Sequence, residues 1–496
     1  MSLGITASED RPGRSSMHVL LLLSLIVVAA LLRFWRLGDW GFEATEIFTH
    51  RDSIVEPRLR NPRPLIYFLN YYVVRPLVPL DEFGLRLLPA IFGVLAVPAL
   101  YLMTRRLLGS RAALFTALLV SISSIHVYYS QYARYWTLVF LLCSIYPLAI
   151  YLGIRHRSGR ALAVGLGTGI LAVLAHPVSV LLFGGLAAWI VATYARRAQL
   201  TQLWAQRGVR WGALFAALLA AAVVMRFIPL LRSWISMHDT GKGGEFLLHL
   251  PRGVGVKQVS YALAYTEALT IPLVLTGVAG IYLLWQRRDR SLALLLACLV
   301  IFPVGFLLLV SLRTSVSLPY LLMPTAPFFF IGAGVFLEYV SRMEWNTRPP
   351  WVVPVTIMSL IITAGAPTLI SQYRDGRRYD FRGVAGWLRG NLAQQDIVFS
   401  DQPRVLAHYL PGTQVHPLRA DTAALLRSVH LLRNEGYRGA LWVIPPAPSH
   451  AFRTNPRLGV LNRWIFDHCQ VRNSIGVARV DFRQHFLQIY RCPPPS

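Results

Sequence analysis

The chain is long, apolar and strongly basic. It has 496 residues, of which 55% are hydrophobic and 15% are charged, and its mean hydropathy is +0.48. Soluble domains carry about 25% charged residues, so this composition excludes a disordered tail protein and argues against an ordinary cytosolic enzyme. It indicates a polytopic membrane protein. The net charge of +26 needs a separate explanation, for which nucleic-acid binding is one candidate.

Eleven apolar segments follow one another along the chain, and most are near the length of about 20 residues that crosses a bilayer as a helix. They are 17–36, 86–104, 112–126, 134–153, 161–175, 177–195, 211–230, 267–286, 291–312, 319–340 and 351–370. The first begins after a polar stretch and runs into Arg33 and Trp35 without a small-residue cleavage site. We therefore expect an uncleaved membrane anchor rather than a signal peptide.

Arginines concentrate in alternate short loops between these segments. Fifteen arginines and two acidic residues lie in the loops 105–111, 155–160, 196–210, 287–290 and 342–348. Because positively charged loops remain in the cytoplasm, this pattern predicts a cytoplasmic N-terminus and an outer C-terminal part. Topology then explains much of the basic excess, and we expect no nucleic-acid partner.

Two outer loops of the predicted membrane domain, residues 1–370, are too long to be simple connectors. The loop 38–85 carries seven acidic residues and many aromatic ones, and the loop 231–266 contains a glycine-rich run around Lys242. Loops of this length are usually functional or disordered. We expect amphipathic helices in the first loop and flexibility in the second.

Residues 371–496 predict a small α/β domain outside the membrane. The predicted elements are a helix at Val384–Leu392, strands at Asp396–Ser400 and Ala440–Ile444, and a strand pair at Val477–Tyr490. Alternation of helices and strands is typical of this fold class. Cys469 and Cys492 lie in this part, where oxidation is possible, and the sequence leaves their pairing open.

Glu43 and Glu46, in the first outer loop, are the leading candidates for chemistry. They lie three residues apart, so on a helix they share one face. Two close carboxylates raise the pKa of one of them, which suits a general base acting near neutral pH. A solvated helix beside the membrane would have the same spacing. We find no metal-ligand spacing in the sequence and expect no required cofactor.

Short motifs recur in order over nearly the whole chain. They are Thr45-Glu46, Pro64-Leu65-Ile66-Tyr67, the run EFGLRLLPAIFG at 82–93, YSQYAR at 129–134, Ala175-His176-Pro177, YLLMPTAP at 320–327, and Asp380-Phe381-Arg382 followed by Asp396-Ile397-Val398. As a set they resemble the polyprenol-phosphate-sugar glycosyltransferases of the GT-C fold. That group includes the protein O-mannosyltransferases and the aminoarabinose lipid A transferases.

The resemblance implies an all-α membrane domain of about eleven helices followed by the α/β domain. It also implies transfer of a sugar from a polyprenyl-phosphate donor, at the outer face of a bacterial cytoplasmic membrane. The acceptor would be a lipid, a glycan or a protein, and membrane lipids would surround the helices. Glu43 or Glu46 would deprotonate the acceptor as it attacks the anomeric carbon.

Basic and hydroxyl side chains would hold the anionic lipid phosphate as it leaves. The candidates at positions implied by the resemblance are Arg63, Arg134, Tyr320 and His176, to which the glycine-rich loop adds Lys242. The other residues expected to line the site are Tyr67, Arg86, Tyr129, Gln131 and Tyr132. Among these, we expect Arg86 to pair with Asp81 or Glu82 rather than to contact substrate.

Three positions depart from the family's pattern. Thr45 stands where the family has an aspartate, and Tyr132 replaces the glutamate of YSQEAR. The histidine of the family's HPP motif is absent, and Pro62-Arg63-Pro64 stands there. Threonine cannot serve as a general base. Either a neighbouring glutamate has taken over that role, or the chain is an inactive relative that acts as a lipid-binding or scaffold subunit. A lipid or solute transporter is a less favoured alternative, because we detect no inverted repeat.

Overall fold

The computed structural model describes residues 12–43, 45–58, 61, 63–194, 210, 256–287, 289–312, 316–343, 349, 351–376, 378–418, 421–445, 456–476 and 487–493. Up to residue 376 the described chain is helical. Its helices are α1 (Pro12–Phe34), α2 (Glu46–Ile54), α3 (Pro64–Leu69), α4 (Glu82–Leu108), α5 (Ser110–Ile122), α6 (Ser124–Ser130), α7 (Trp136–Arg155), α8 (Gly159–Ala175), α9 (Leu181–Tyr194), α10 (Val256–Leu269), α11 (Ile271–Arg287), α12 (Arg290–Val310), α13 (Leu318–Ser341) and α14 (Val352–Asp375). A π-helical turn, Asn70–Val74, extends α3, and a 3₁₀ turn, Pro177–Val180, precedes α9.

The apolar segments predicted from the sequence are helices wherever the structure describes them. Seven helices are long and apolar enough to cross a membrane, and two bent pairs raise the count among the described residues to nine. The pairs are α5 with α6, bent by 58°, and α10 with α11, bent by 90°. Helix α8, at 17 residues, is shorter. The predicted span 211–230 and the loop around Lys242 lie outside the described residues.

Helices α7 and α13 form the centre of the membrane domain. In their apolar windows 94% and 89% of the residues are buried, whereas the values for α1 and α14 are 11% and 17%. A helix that is apolar all round and buried lies inside a bundle, and an apolar helix with an exposed surface faces lipid. Helices α7 and α13 are therefore surrounded by other helices, and the candidate site lies next to the N-terminal end of each.

The C-terminal part is a five-stranded sheet with helices. Its elements are α15 (Phe381–Arg389), β1 (Ile397–Ser400), α16 (Pro403–Tyr409), β2 (Val415–Pro417), α17 (Thr422–Asn434), β3 (Leu441–Ile444), α18 (Pro456–His468), β4 (Gln470–Ile475) and β5 (Leu487–Cys492). The strand order is β2-β1-β3-β5-β4. Strand β1 is parallel to β2 and β3, and β5 is antiparallel to β3 and β4. The predicted all-α membrane domain with a small α/β part is confirmed.

Two of the predicted strands are confirmed and one prediction is wrong in position. Strands β1 and β3 lie where the sequence predicts them. The strand pair expected at 477–490 consists instead of β4, which ends at Ile475, and β5, and residues 477–486 between them lie outside the described chain. Cys469 and Cys492 form a disulfide that links the start of β4 to the end of β5.

Local capping fixes how the C-terminal part joins the last membrane helix. Gly376 adopts a positive φ of 67° and ends α14, a conformation that glycine takes without steric cost. Asp380 caps α15, since its carboxylate accepts a hydrogen bond from the Gly383 N–H at 2.8 Å. The short connection between them carries Arg378 inward. One apolar core then continues from Phe42 and Tyr67 of the first outer loop to Phe381 and Val384 of α15.

Glycines bring α11 and α13 into backbone contact. A Cβ added at Gly280 would overlap the carbonyl group of Gly332. Small residues at such contacts allow the close packing on which helix association in membranes depends.

We predict that Gly280→Leu lowers the apparent unfolding midpoint of the detergent-solubilised protein, because overpacking costs about 1–3 kcal/mol. Gly305→Leu in α12 is the matched control, since a Cβ there meets open space. Thermal unfolding of both variants checks the prediction, and equal midpoints would contradict it.

Candidate active site

A fully buried ion pair between Arg86 and Glu46 organises the first outer loop. Arg86 lies near the start of α4, and the side chains of both residues are 0% exposed. Its Nε donates to Glu46 Oε1 at 3.0 Å and its Nη2 donates to Glu46 Oε2 at 2.9 Å. The remaining donors reach the carbonyl oxygens of Leu37, Trp40 and Gly41 at 2.7–3.2 Å. All five N–H groups of the guanidinium are therefore satisfied.

Glu46, predicted as a candidate base, holds the loop together. Besides Arg86, its carboxylate accepts hydrogen bonds from the backbone N–H groups of Glu43 at 2.9 Å and Ala133 at 2.7 Å. Burial alone would raise its pKa, but the charges of Arg378 and Arg86 and these hydrogen bonds outweigh burial and lower the pKa to about 2. A buried, fully paired carboxylate with so low a pKa is a poor proton acceptor near neutral pH.

Arg86 was expected to pair with Asp81 or Glu82, and that prediction is wrong. Asp81 instead caps α4 by accepting from the Gly84 N–H at 2.8 Å. Glu82 accepts a hydrogen bond from the Tyr409 hydroxyl at 2.7 Å. Both nearby acids are thus engaged elsewhere, and Arg86 turns inward to Glu46, which lies 40 residues earlier in the chain.

Arg378 adds a second buried cation, which the sequence analysis did not single out. Its Nη2 lies 3.5 Å from Glu46 Oε1 and donates to the Gln131 carbonyl oxygen at 2.6 Å. Its guanidinium carbon stands 5.2 Å from the centre of the Tyr132 ring. The sequence contained one signal that could have identified Arg378. This arginine follows the last predicted span at its predicted outer end, where the positive-inside rule does not require a positive charge.

Glu43, the second predicted base, is more accessible than Glu46. It is half-buried at the start of the turn leading into α2, and its backbone N–H donates to Glu46. Its carboxylate interacts electrostatically with Arg378 and Tyr132. Thr45 follows, and its hydroxyl shares a hydrogen bond of 2.5 Å with the Tyr132 hydroxyl. The Thr45–Tyr132 pair therefore stands as a neutral contact beside Glu43.

A cluster of cations and aromatic rings, called here the arginine–aromatic cluster, lies on the other side of Thr45. It comprises Arg63, Arg134, Tyr135, Trp136, His176 and Tyr320. The guanidinium carbons of Arg63 and Arg134 stand 5.2 Å and 4.7 Å from the centre of the Tyr135 ring. Arg134 also donates to the Thr45 carbonyl oxygen at 3.1 Å, which joins the cluster to the segment that carries Glu43.

His176 and Tyr320 complete the arginine–aromatic cluster from two further segments. The His176 ring centre lies 4.9 Å from that of Tyr135, 5.2 Å from that of Trp136 and 5.0 Å from that of Tyr320. Burial lowers the pKa of His176 well below its usual value, and Arg63 and Arg134 lower it further. Because Nδ1 accepts the Val178 N–H at 3.0 Å, the neutral ring carries its proton on Nε2.

Two buried donors in this cluster have no hydrogen-bond partner among the described residues. They are His176 Nε2 and Arg63 Nε. Buried polar groups are normally hydrogen-bonded, so an unpartnered buried donor marks a position that a ligand could contact. Four of the predicted phosphate-binding residues, Arg63, Arg134, His176 and Tyr320, are therefore brought together with donors available to an anion.

The remaining predicted residues separate into two groups. Tyr67 is buried and interacts electrostatically with Arg134 and Arg63, and the Tyr129 ring centre lies 6.5 Å from that of Trp136, so both border the arginine–aromatic cluster. Gln131 is fully buried, and its side-chain amide bonds the Trp35 carbonyl oxygen at 2.8 Å. The same amide donates to the Arg33 carbonyl oxygen at 3.2 Å, so Gln131 contacts the end of α1. Tyr135 and Trp136, which directly follow the YSQYAR motif, were missed.

A cavity of about 340 Å³ lies between the first outer loop and the C-terminal part. It is lined by residues that include Trp40, Arg378 and Arg382. None of the arginine–aromatic cluster lines it. Among the described residues, no group of three or more His, Cys, Asp or Glu side chains is arranged to hold a metal ion.

We predict that Glu46→Gln destabilises the protein by about 3 kcal/mol, because it leaves Arg86 buried without its ion-pair partner and removes a carboxylate from beside Arg378. The carboxylate's contribution is complete above the unfolded-state pKa of 4.5 and is lost as the pH falls toward 2. Thermal unfolding against pH checks this, with the exposed Glu56→Gln in the same loop as the control. A Glu46→Gln midpoint equal to that of the wild type at pH 7 would contradict it.

Comparison with known proteins agrees with this architecture. Residues 64–238 match the family model described as dolichyl-phosphate-mannose-protein mannosyltransferase. No curated protein sequence matches the chain. The apo structure of ArnT from Cupriavidus metallidurans aligns with a TM-score of 0.54 at 14% identity, over 96% of this chain and 98% of that one.

Two further structures have bound lipid phosphates. ArnT from the same organism, bound to undecaprenyl phosphate, aligns with a TM-score of 0.52 at 15% identity over the same shares of both chains. AglB, an oligosaccharyltransferase from Archaeoglobus fulgidus in complex with an inhibitory peptide and a dolichol-phosphate, aligns with a TM-score of 0.54 at 12% identity, over 88% of this chain and 70% of that one. The chain is a multi-pass membrane protein with the GT-C fold that these glycosyltransferases share.

Proposed function

We propose that this protein is a membrane glycosyltransferase that moves a sugar from a polyprenyl-phosphate donor to an acceptor. The observation that supports this proposal most strongly is the arginine–aromatic cluster. It gathers Arg63, Arg134, His176 and Tyr320 from four separate segments, next to the segment that carries Glu43. Two cations, Arg63 and Arg134, lie among aromatic rings, and two N–H donors, Arg63 Nε and His176 Nε2, have no partner among the described residues. This arrangement suits a phosphate attached to an apolar chain.

The comparisons support a lipid-phosphate donor. The ArnT structure holds undecaprenyl phosphate and the AglB structure holds dolichol-phosphate, in chains of the same fold. The match to the mannosyltransferase family model begins at residue 64, directly after Arg63, and it includes Arg134 and His176.

In the proposed reaction an acceptor hydroxyl or amine attacks the anomeric carbon of the donor sugar. A new bond forms from the acceptor to that carbon, and the bond from the carbon to the phosphate oxygen breaks. The phosphate oxygen leaves with the electron pair, and the charges of Arg63 and Arg134 stabilise the developing anion. The acceptor's proton passes to Glu43.

Glu43 is assigned as the base in preference to Glu46. Glu46 is fully buried and its pKa is lowered to about 2, whereas Glu43 is half-buried. Glu46 anchors the backbone of Glu43 by accepting its N–H at 2.9 Å. The two carboxylates thus have different roles, one structural and one chemical, as their environments dictate.

The proposed orientation follows from the arginine-rich loops. The N-terminus and those loops lie in the cytoplasm, and the first outer loop, the arginine–aromatic cluster and the α/β part lie on the opposite face. The membrane would be the bacterial cytoplasmic membrane, with the membrane domain ending near residue 370 and the α/β domain in the periplasm or outside.

A lipid-binding subunit without transferase activity is the second candidate function. It is favoured by the Thr45–Tyr132 pair, which places two neutral hydroxyls at the positions where the resembling family has acids. Such a protein would use the arginine–aromatic cluster to bind a lipid phosphate and leave the chemistry to a partner. Measured transfer of a sugar separates the two functions.

We predict that Glu43→Gln lowers the transfer rate about 10²–10⁴-fold, the usual contribution of a general base. Radiolabelled sugar transfer from a polyprenyl-phosphate sugar to endogenous membrane acceptors measures the rate. Glu56→Gln, an exposed carboxylate of the same loop, is expected to keep wild-type activity. Full activity of Glu43→Gln would refute the base assignment, and a wild-type protein that transfers nothing yet binds the lipid would favour the subunit function.

We also predict that Arg63→Gln raises KM for the donor about tenfold or more, because a charge-assisted hydrogen bond contributes about 1.5–3 kcal/mol. Arg75→Gln, in the same loop but exposed and stacked on Tyr71, serves as the control. Initial rates over a range of donor concentrations check this. A KM that stays at the wild-type value in Arg63→Gln would remove that residue from the donor site.

A further inference from the structure

The C-terminal α/β part contacts the first outer loop through several side chains, and one of these contacts is a tyrosine hydroxyl next to the segment that carries Glu43. Tyr409 is the last residue of α16. Its hydroxyl oxygen accepts a hydrogen bond from the Phe42 N–H at 2.6 Å. The same hydroxyl donates to Glu82 Oε1 at 2.7 Å. Tyr409 thus connects the start of α4 to the residue that directly precedes Glu43.

Tyr409 packs closely against the backbone of the first outer loop at Gly41. A Cβ added at Gly41 would lie 3.4 Å from the Tyr409 hydroxyl oxygen and 3.2 Å from Arg382 Cβ. The absence of a side chain at Gly41 therefore allows the C-terminal part to approach the loop backbone. Phe42 is 0% exposed, so without Tyr409 its N–H would lose a partner in a buried setting.

The groups around Tyr409 allow its hydroxyl to donate one hydrogen bond and accept another. Burial, followed by the hydrogen bond to Glu82, raises the pKa of Tyr409 above its usual value. The phenol therefore stays protonated and can donate to Glu82 while it accepts from Phe42. Arg382 lies 3.7 Å from Glu82 and counters its charge.

The segment that carries Glu43 is consequently fixed from two sides. The Glu43 N–H is held by Glu46, which belongs to the membrane domain's own buried ion pair. The preceding N–H, that of Phe42, is held by Tyr409 from a different part of the fold, 367 residues later in the chain. Two successive backbone N–H groups anchored in this way leave the Glu43 backbone little freedom.

We propose that Tyr409 is a positioning residue, through which docking of the α/β part sets the place of Glu43 for proton transfer. The inference rests on the proposed function, because it assigns Tyr409 a role in that reaction. Through Tyr409, the α/β part contributes to the reaction as well as to the fold. Geometry of this kind matters because a misplacement of about 1 Å can cost roughly 10²-fold in rate.

The test compares Tyr409→Phe with Tyr437→Phe. Phenylalanine keeps the ring of Tyr409 and removes only the hydroxyl. Tyr437 belongs to the same part of the fold, and its hydroxyl bonds Gln414 at 3.3 Å, away from the loop. The expected result for Tyr409→Phe is a kcat lowered about 10–100-fold, with the donor KM within about twofold of the wild-type value. Tyr437→Phe should match the wild type in both constants.

Hydrogen exchange supplies a readout that does not require activity. The Phe42 amide should exchange faster in Tyr409→Phe than in Tyr437→Phe. An unchanged kcat, or a change confined to the donor KM, would overturn the proposal. If the wild type transfers no sugar, the proposed function fails and exchange alone decides. Unchanged Phe42 exchange then overturns the Tyr409 contact, and faster exchange supports it as an anchor of the loop.

Discussion

The buried ion pair between Arg86 and Glu46 is the interaction on which the candidate site depends. Desolvating two charges is costly, and their attraction offsets that cost only where the remaining hydrogen-bonding groups are also satisfied. Here every N–H of Arg86 has an acceptor, and Glu46 accepts from two backbone N–H groups as well. The pair thereby fixes the conformation of residues 35–43, which have little regular secondary structure.

From that pair the site extends in two directions. Toward the membrane bundle, the Ala133 N–H on Glu46 fixes the turn that carries Arg134, and Arg134 in turn contacts the Thr45 carbonyl oxygen. Toward the C-terminal part, Arg378 approaches the same carboxylate and the Gln131 carbonyl oxygen. One carboxylate therefore aligns the proposed base segment, the arginine–aromatic cluster and the connection to the α/β part.

The sequence predicts the spans well because their signal is local. Apolar length alone locates α4, α7 and α13 to within a few residues. The ordered motifs also locate Arg63, Arg134, His176 and Tyr320, which the fold brings together. What the sequence does not contain is pairing at a distance. Arg86 was matched to its neighbours Asp81 and Glu82, but a helix cap and a hydrogen bond from Tyr409 occupy those acids. The strand pair was placed too late in the chain, since β4 begins directly after Cys469. The disulfide between Cys469 and Cys492 was left open, because the spacing of two cysteines does not determine whether they pair.

The most direct test of the account is a cryo-electron microscopy structure of the full chain with a bound polyprenyl phosphate. The account predicts the phosphate within hydrogen-bonding distance of Arg63 and Arg134, with His176 Nε2 and the Tyr320 ring beside it. The Glu43 carboxylate should face the same space. A phosphate bound instead in the cavity lined by Trp40 and Arg382, with no density at the arginine–aromatic cluster, would contradict the account.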